Sequence, residues 1–388
     1  MKSFSSFIPT RLCFGCGERK HFAEEVRHFG SRVLLVSGKG SLKKSGRHDE
    51  LLASLRAQGC KVEELTDVDP NPRLYTVLKG AEICRAQRIE VVACVGGGSV
   101  MDAAKAVAAA TYFTGDIWDV ALCRKTIDKA LPVVAMPTLA ATGSEFNPHS
   151  VIINERTKQK FSLHSEHMIP KVAVLDPELT TTVPRKTTVA GAIDIIAHAF
   201  EGYLTAEAPS ALADRMTEGI CQSVMEATET ALAHPEDLEA RSTLLWSSTM
   251  ACSGYAGAGY GNKFYDGHQI GHELSASWDF AHGDTLSALL PAVMRFRLAA
   301  ASGKLAQFSR RVLGLDPVWT EGPQETALRG IRSFELWCKG MGAPISLKDL
   351  GVERSSLEGI ADRVTANPEA ANLTREEILQ ILDLADPA

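Results

Sequence analysis

The sequence predicts an α/β domain on a mainly parallel sheet over residues 1–184, followed by an all-helical domain over residues 185–388. Three observations predict it. The first half alternates short, wholly apolar runs with helical stretches, the pattern of a parallel sheet covered on both faces. After Asp176-Pro177 the strand signals vanish and long amphipathic stretches follow one another. A chain of 388 residues also exceeds one ordinary core of roughly 100–200 residues.

Taken in order, VLLV at Val33–Val36 reads as a buried strand, followed by a turn and a helix through Leu51–Ala57. Val62–Leu65 is a second strand and Leu74–Ala86 a helix. Val91–Val95 is a third strand, leading into a helix from Ser99 to Ala110. Further strands are expected at Pro132–Met136, Val151–Ile153 and Val172–Leu175. The boundary falls at Val183-Pro184. Beyond it, helices are expected at Thr188–Leu204, Pro209–Leu232, Leu238–Tyr255, Gly267–Ser277, Thr285–Ala300, Thr326–Gly340 and Arg375–Leu384. Loops such as AEAPS, AHPED and LGLDPVW punctuate them.

A net charge of −6 excludes the basic stripe that nucleic-acid binding requires. No stretch approaches the ~18 uninterrupted apolar residues of a membrane span. The opening MKSFSSFIPTRL lacks a signal peptide's apolar run of ~7–15 residues, so the cytoplasm is the expected compartment. Nine cysteines at irregular spacing make poor material for a disulfide framework. The one tight pair, Cys13 and Cys16, has no second pair to complete a metal site and reads as structural.

The third strand runs directly into Gly96-Gly97-Gly98-Ser99 and then a helix. Glycines there let the backbone approach a ligand, and a helix N-terminus favours an anion, so a pyrophosphate is the expected occupant. G-x-G-x-x-G would require glycine at 101, where Met101 stands, so this is not the usual dinucleotide fingerprint. Asp102 either caps the helix or lines the site. A second turn, Gly38-Lys39-Gly40-Ser41, follows the first strand, where a dinucleotide's adenine ribose would lie. An acid there would select NAD; none is present, and Lys39 suits the 2′-phosphate of NADP. A solvated turn with a surface lysine is the alternative.

In AGAIDIIAHAFEGYL, Asp194 and His198 have i, i+4 spacing and project from one helix face. Their neighbours are almost all apolar. A carboxylate buried there costs several kcal/mol unless it is paired or binds a metal. A satisfied core Asp–His pair is the bland reading. DGHQIGHELSASWDFAHGD then brings His268, His272 and His282 within fifteen residues. Nitrogen and oxygen donors without thiolate argue for an open catalytic metal site over a closed structural one.

GGGSVMDAAKA, PTLAATGSEFN, the D-x-x-x-H pair and H-x-x-x-H-x(9)-H-G together resemble the iron-containing alcohol dehydrogenase family, in that order, over about residues 10 to 300. The turn GKGSLKKSG and the phrase DPNPRL resemble its butanol dehydrogenase-like branch. The resemblance implies a dehydroquinate synthase-like architecture, a dinucleotide domain followed by a helical metal domain with the active site between them. It implies metal ligands Asp194, His198, His268 and His282, with His272 beside the substrate or nicotinamide as a proton relay. Gly97, Gly98 and Ser99 would hold the pyrophosphate, and Thr138, Thr142 and Lys160 would line the cofactor site. One departure is Ala281, where many members have proline, which puts the loop's shape in question.

The activity so implied is an NAD(P)-linked alcohol dehydrogenase or aldehyde reductase for a primary alcohol, with NADP(H) favoured. The metal would be ferrous iron, with zinc the alternative, and the assembly a homodimer that binds neither nucleic acid nor membrane. The alternatives sharing this architecture are a glycerol dehydrogenase-like polyol oxidoreductase and a dehydroquinate synthase-like enzyme. The scarcity of lysine and arginine near the histidine cluster speaks against the latter.

Overall fold

A computed structural model describes residues 1–44, 46–368 and 372–386. It forms two compact units, Phe7–Thr182 and Val183–Ala388, the latter joined by Met1–Ser6.

The described residues of the first unit hold eight strands: β1 Arg11–Phe14, β2 Arg32–Gly38, β3 Lys61–Val68, β4 Val91–Gly96, β5 Val133–Pro137, β6 His149–Asn154, β7 Gln159–His164 and β8 Val172–Leu175. Six form one sheet in the order β1-β8-β5-β4-β2-β3, parallel throughout. The edge strand β3 carries Lys61, Glu63 and Glu64 exposed, whereas strands β2, β4 and β5 are mostly apolar because each packs into two cores. Leu34, Val36, Val92 and Cys94 pack into one. Val33, Leu35, Val91, Ala93 and Val95 pack into the other.

Two strands escape the sequence pattern. β1 is only four residues long and stands at the sheet edge. β7 alternates polar residues with Phe161 and Leu163, yet Lys160 and Ser162 are buried as well. The strand expected at Val151–Ile153 exists but lies outside the parallel sheet, in an antiparallel β6–β7 hairpin.

The strand order defines a crevice. From β2 the chain moves outward to β3, then returns to place β4 and β5 on β2's other side. The switch point therefore lies between β2 and β4, and ligands of open α/β sheets bind outside the carboxyl ends of such a pair. Those ends are Gly38 and Gly96.

The second unit carries long helices at Arg185–Leu204, Ala211–Ala233, Leu238–Cys252, Asp266–Trp278, His282–Phe296, Leu298–Arg311 and Pro323–Met341, with shorter ones at Leu357–Thr365 and Arg375–Leu384. No strand occurs among its described residues. The helix expected to start at Thr285 begins at His282, and it ends at Phe296 with a separate helix following. No helix among the described residues is long and apolar enough to cross a membrane.

Candidate functional site

In the α/β unit both glycine turns stand at the switch point. The helix Gly98–Ala110 starts on Gly97 with no side-chain cap, so its leading amides point to the crevice without a side chain covering them. A Cβ at Gly98 would lie 2.4 Å from the Thr142 hydroxyl oxygen, and one at Gly97 would lie 2.8 Å from Leu139. The glycines thus let the PTLAAT segment close on the loop. Thr138 follows β5 directly, its amide donating to the Gly96 carbonyl at 3.0 Å.

The segment after β3 links the remaining candidates. Asp69 pairs with Lys39 at 2.5 Å, the Pro70 carbonyl accepts from the Ser99 hydroxyl, and Asn71 accepts from Lys160 Nζ at 2.9 Å. Three consecutive residues therefore hold three side chains read from the sequence as cofactor contacts. The turn itself lacks an acid, as the sequence indicates, but the segment after β3 brings Asp69 to it in space. The bond from Asp69 raises the Lys39 pKa.

Asp102 is turned into the protein. It accepts from the Ser144 hydroxyl at 2.5 Å and the Val151 amide at 3.1 Å, and Lys105 lies 3.8 Å away. Burial raises its pKa against the pull of Lys105. It latches the helix to the hairpin, and the helix start carries no side-chain cap. The side chain of Ser41 lies outside the described residues.

In the helical unit, Asp194, His268 and His282 bring one ligand atom each within 4.8 Å of one another. Asp194 Oδ1 is the hub. It lies 3.3 Å from His198 Nδ1, 3.8 Å from His268 Nε2 and 3.9 Å from His282 Nε2. Donors bound tetrahedrally at roughly 2.1 Å sit about 3.4 Å apart, so these separations fit a divalent metal. The donor set also fits, with one carboxylate and imidazoles, largely buried and drawn from three helices. His198 Nδ1 and His268 Nε2 approach to 2.8 Å.

Glycines let those helices meet. A Cβ at Gly283 would stand 1.9 Å from the Ala190 carbonyl, so the helices bearing His282 and Asp194 touch backbone to backbone. A Cβ at Gly271 would meet Thr285 at 2.7 Å and His282 at 3.4 Å. The His-Gly and Gly-His dipeptides of the sequence are packing devices as well as ligand carriers. His272 lies outside the three-residue set, its ring centroid 4.9 Å from that of His282. Trp278 and Phe280 stack at 6.1 Å with planes 4° apart.

Two residues at this site were missed by sequence reasoning. Glu201, fully buried, accepts from the His268 Nδ1 and from the amides of Gly267 at 2.5 Å and His268 at 3.3 Å. Burial pushes its carboxyl up to about 8 against those amide bonds. A cation on the far nitrogen of His268 is what such a buried carboxylate needs to remain ionised. Glu201 falls at i+7 from Asp194 and i+3 from His198, one helical stripe, and that spacing was visible. Cys252 hydrogen-bonds His198, placing a sulfur beside a set read as thiolate-free. Only the fold brings it there.

The comparisons with known proteins cover both units. The family described as "Iron-containing alcohol dehydrogenase" matches residues 9–177, and "Fe-containing alcohol dehydrogenase family, C-terminal" matches residues 188–385. A probable NADH-dependent butanol dehydrogenase of Bacillus subtilis is 37% identical, covering 98% of this chain and 99% of its own. The NADPH-dependent aldehyde reductase of Escherichia coli is 34% identical, covering 94% and 93%. The crystal structure of the NADH-dependent butanol dehydrogenase A of Thermotoga maritima superposes with a TM-score of 0.94 at 36% identity, covering 100% of this chain and 99% of that one. With both units matched and relatives aligned over nearly their whole length, the chain belongs to the iron-containing alcohol dehydrogenase family.

Proposed function

We propose that this chain interconverts a primary alcohol and its aldehyde, prefers NADPH to NADH, and holds a divalent metal through Asp194, His198, His268 and His282. Family membership makes it an NAD(P)H-dependent alcohol dehydrogenase or aldehyde reductase. The observation that carries the site assignment is Asp194 Oδ1, buried and 3.3–3.9 Å from three imidazole nitrogens. Oxygen and nitrogen donors suit ferrous iron and zinc alike, so supply decides which is held.

A metal bound there supplies Lewis-acid polarisation of the substrate oxygen, and the nicotinamide supplies or takes the hydride. The chain's own residues do the rest. Glu201 fixes the His268 ring so that its Nε2 faces Asp194. Gly97, Gly98 and Ser99 present the helix N-terminus to the pyrophosphate, and Lys39 offers its charge to a 2′-phosphate. His272, next to His282, passes a proton between the substrate oxygen and water.

Relatives named as NADH-dependent and NADPH-dependent both align over nearly the whole chain, so nucleotide preference rests on Lys39 alone. The test is NADPH oxidation with straight-chain aldehydes, using protein stripped by chelator and reloaded anaerobically with ferrous iron or zinc. Turnover should vanish on stripping and return on reloading. Full turnover by the stripped protein would refute the reading.

A further inference from the structure

The β6–β7 hairpin carries a second pair of histidines that the reaction does not use. His149 and His164 are directly opposed across the two strands. Their ring centroids are 4.8 Å apart and their planes are inclined at 50°. Both side chains are exposed. Directly opposed residues of an antiparallel pair hold their Cβ atoms about 4.5–5.5 Å apart, a span that two imidazoles bridge through one ion.

The scaffold beneath them is packed into the core. Ile152, Phe161 and Leu163 project from the opposite face into the core and are each 0% exposed. On the histidines' own face, the buried Ser162 hydroxyl lies 3.4 Å from His149 Nδ1, and the Asn147 side chain accepts from the His149 amide at 3.0 Å. The ring pair is therefore held on a fixed backbone and needs little ordering when a ligand arrives.

We propose that His149 and His164 form a second divalent-metal site, distinct from the Asp194 centre and selective for zinc, nickel or copper(II). Imidazole nitrogen suits these ions, whereas magnesium and calcium demand oxygen. Two protein ligands leave most of the coordination sphere to water, so the site binds more weakly than a buried four-ligand one and exchanges its ion with solvent. It would raise the metal content of the purified protein above one equivalent per chain. It stands at the exposed end of the hairpin face that also carries the buried Lys160, four cross-strand pairs along.

The test is equilibrium dialysis of the full chain against micromolar nickel(II), comparing wild type with His149→Asn and His164→Asn. Each variant should hold one equivalent less than wild type. The same difference should persist in a His282→Ala background, which separates this site from the first. Copper(II) added to zinc-loaded protein should show nitrogen splitting from two imidazoles in its electron paramagnetic resonance, reduced in either variant. Circular dichroism melts of these exposed substitutions verify the fold. Equal nickel in all three proteins, or a copper spectrum unchanged by the substitutions, overturns the proposal.

Discussion

The Glu201 carboxylate and the His268 Nδ1 share a hydrogen bond across 67 residues of sequence. It turns the other ring nitrogen of His268 towards Asp194. A carboxylate behind a metal-binding imidazole fixes its tautomer and raises its basicity, and losing one typically costs 10–100-fold in metal affinity.

Glu201→Gln should therefore weaken metal binding by about 10–100-fold with a smaller loss of metal-free stability than removing the side chain. The Gly267 and His268 amides donate to different carboxylate oxygens, so glutamine keeps an acceptor for one of them and loses the charge. Glu201→Ala should lower stability as well, because two buried amides lose their acceptor. Competition with a chelator, read as metal retained per chain, checks both. Wild-type affinity in Glu201→Gln would show that the carboxylate only packs.

Nucleotide choice depends on what Lys39 does with its charge. Asp69 already pairs with it, so a 2′-phosphate must displace or share that carboxylate. Asp69→Asn should lower KM for NADPH by about tenfold, the scale of one charge-assisted hydrogen bond, and leave KM for NADH nearly unchanged. Lys39→Ala should erase the NADPH preference. Paired steady-state kinetics with the two cofactors decide it, and an Asp69→Asn enzyme with unaltered cofactor ratios would remove Lys39 from the nucleotide site.

These two cases show where the sequence was legible. Periodicity along one segment revealed the Asp194–His198 stripe, the glycine loops and most helices, because each signal lies within a few residues. Glu201 lay on that stripe and was passed over, since glutamate ending an amphipathic helix reads as solvated. Asp69 and Cys252 had no local signal. Asp69 reaches Lys39 only because β3 pairs with β2, and Cys252 meets His198 only through helix packing. The strand β6 was legible, but its place in a separate hairpin was not, because Ser150-Val-Ile-Ile reads as buried in either setting.

Ala281 supplies a stability prediction. Its backbone, at φ −61° and ψ 134°, already matches the angle a proline ring imposes. Its carbonyl accepts from the amides of Asp284 and Thr285, bonds that proline would retain. The departure from the family's proline thus leaves the shape of the loop before His282 unchanged. Ala281→Pro should stabilise the protein by about 0.4–1 kcal/mol through the unfolded chain, with metal content unaltered. A lower melting temperature would mean that Phe280 cannot adopt the extended backbone required before proline.

The last prediction separates two roles for His272. Its ring lies 4.9 Å from His282 and 6.5 Å from His268 between centroids, close enough to share their solvent and outside the buried three-residue set. A side chain that moves a proton contributes about 10²–10⁴-fold to rate, whereas a pocket wall acts mainly on substrate affinity. His272→Ala should therefore keep its metal and its affinity for NADPH while kcat falls by about 10²–10⁴-fold. Added imidazole should restore part of that loss, because a free base can occupy the space the truncation leaves and carry the same proton. Changes confined to KM for the aldehyde, with no response to imidazole, would make His272 a wall of the pocket and leave proton transfer to water.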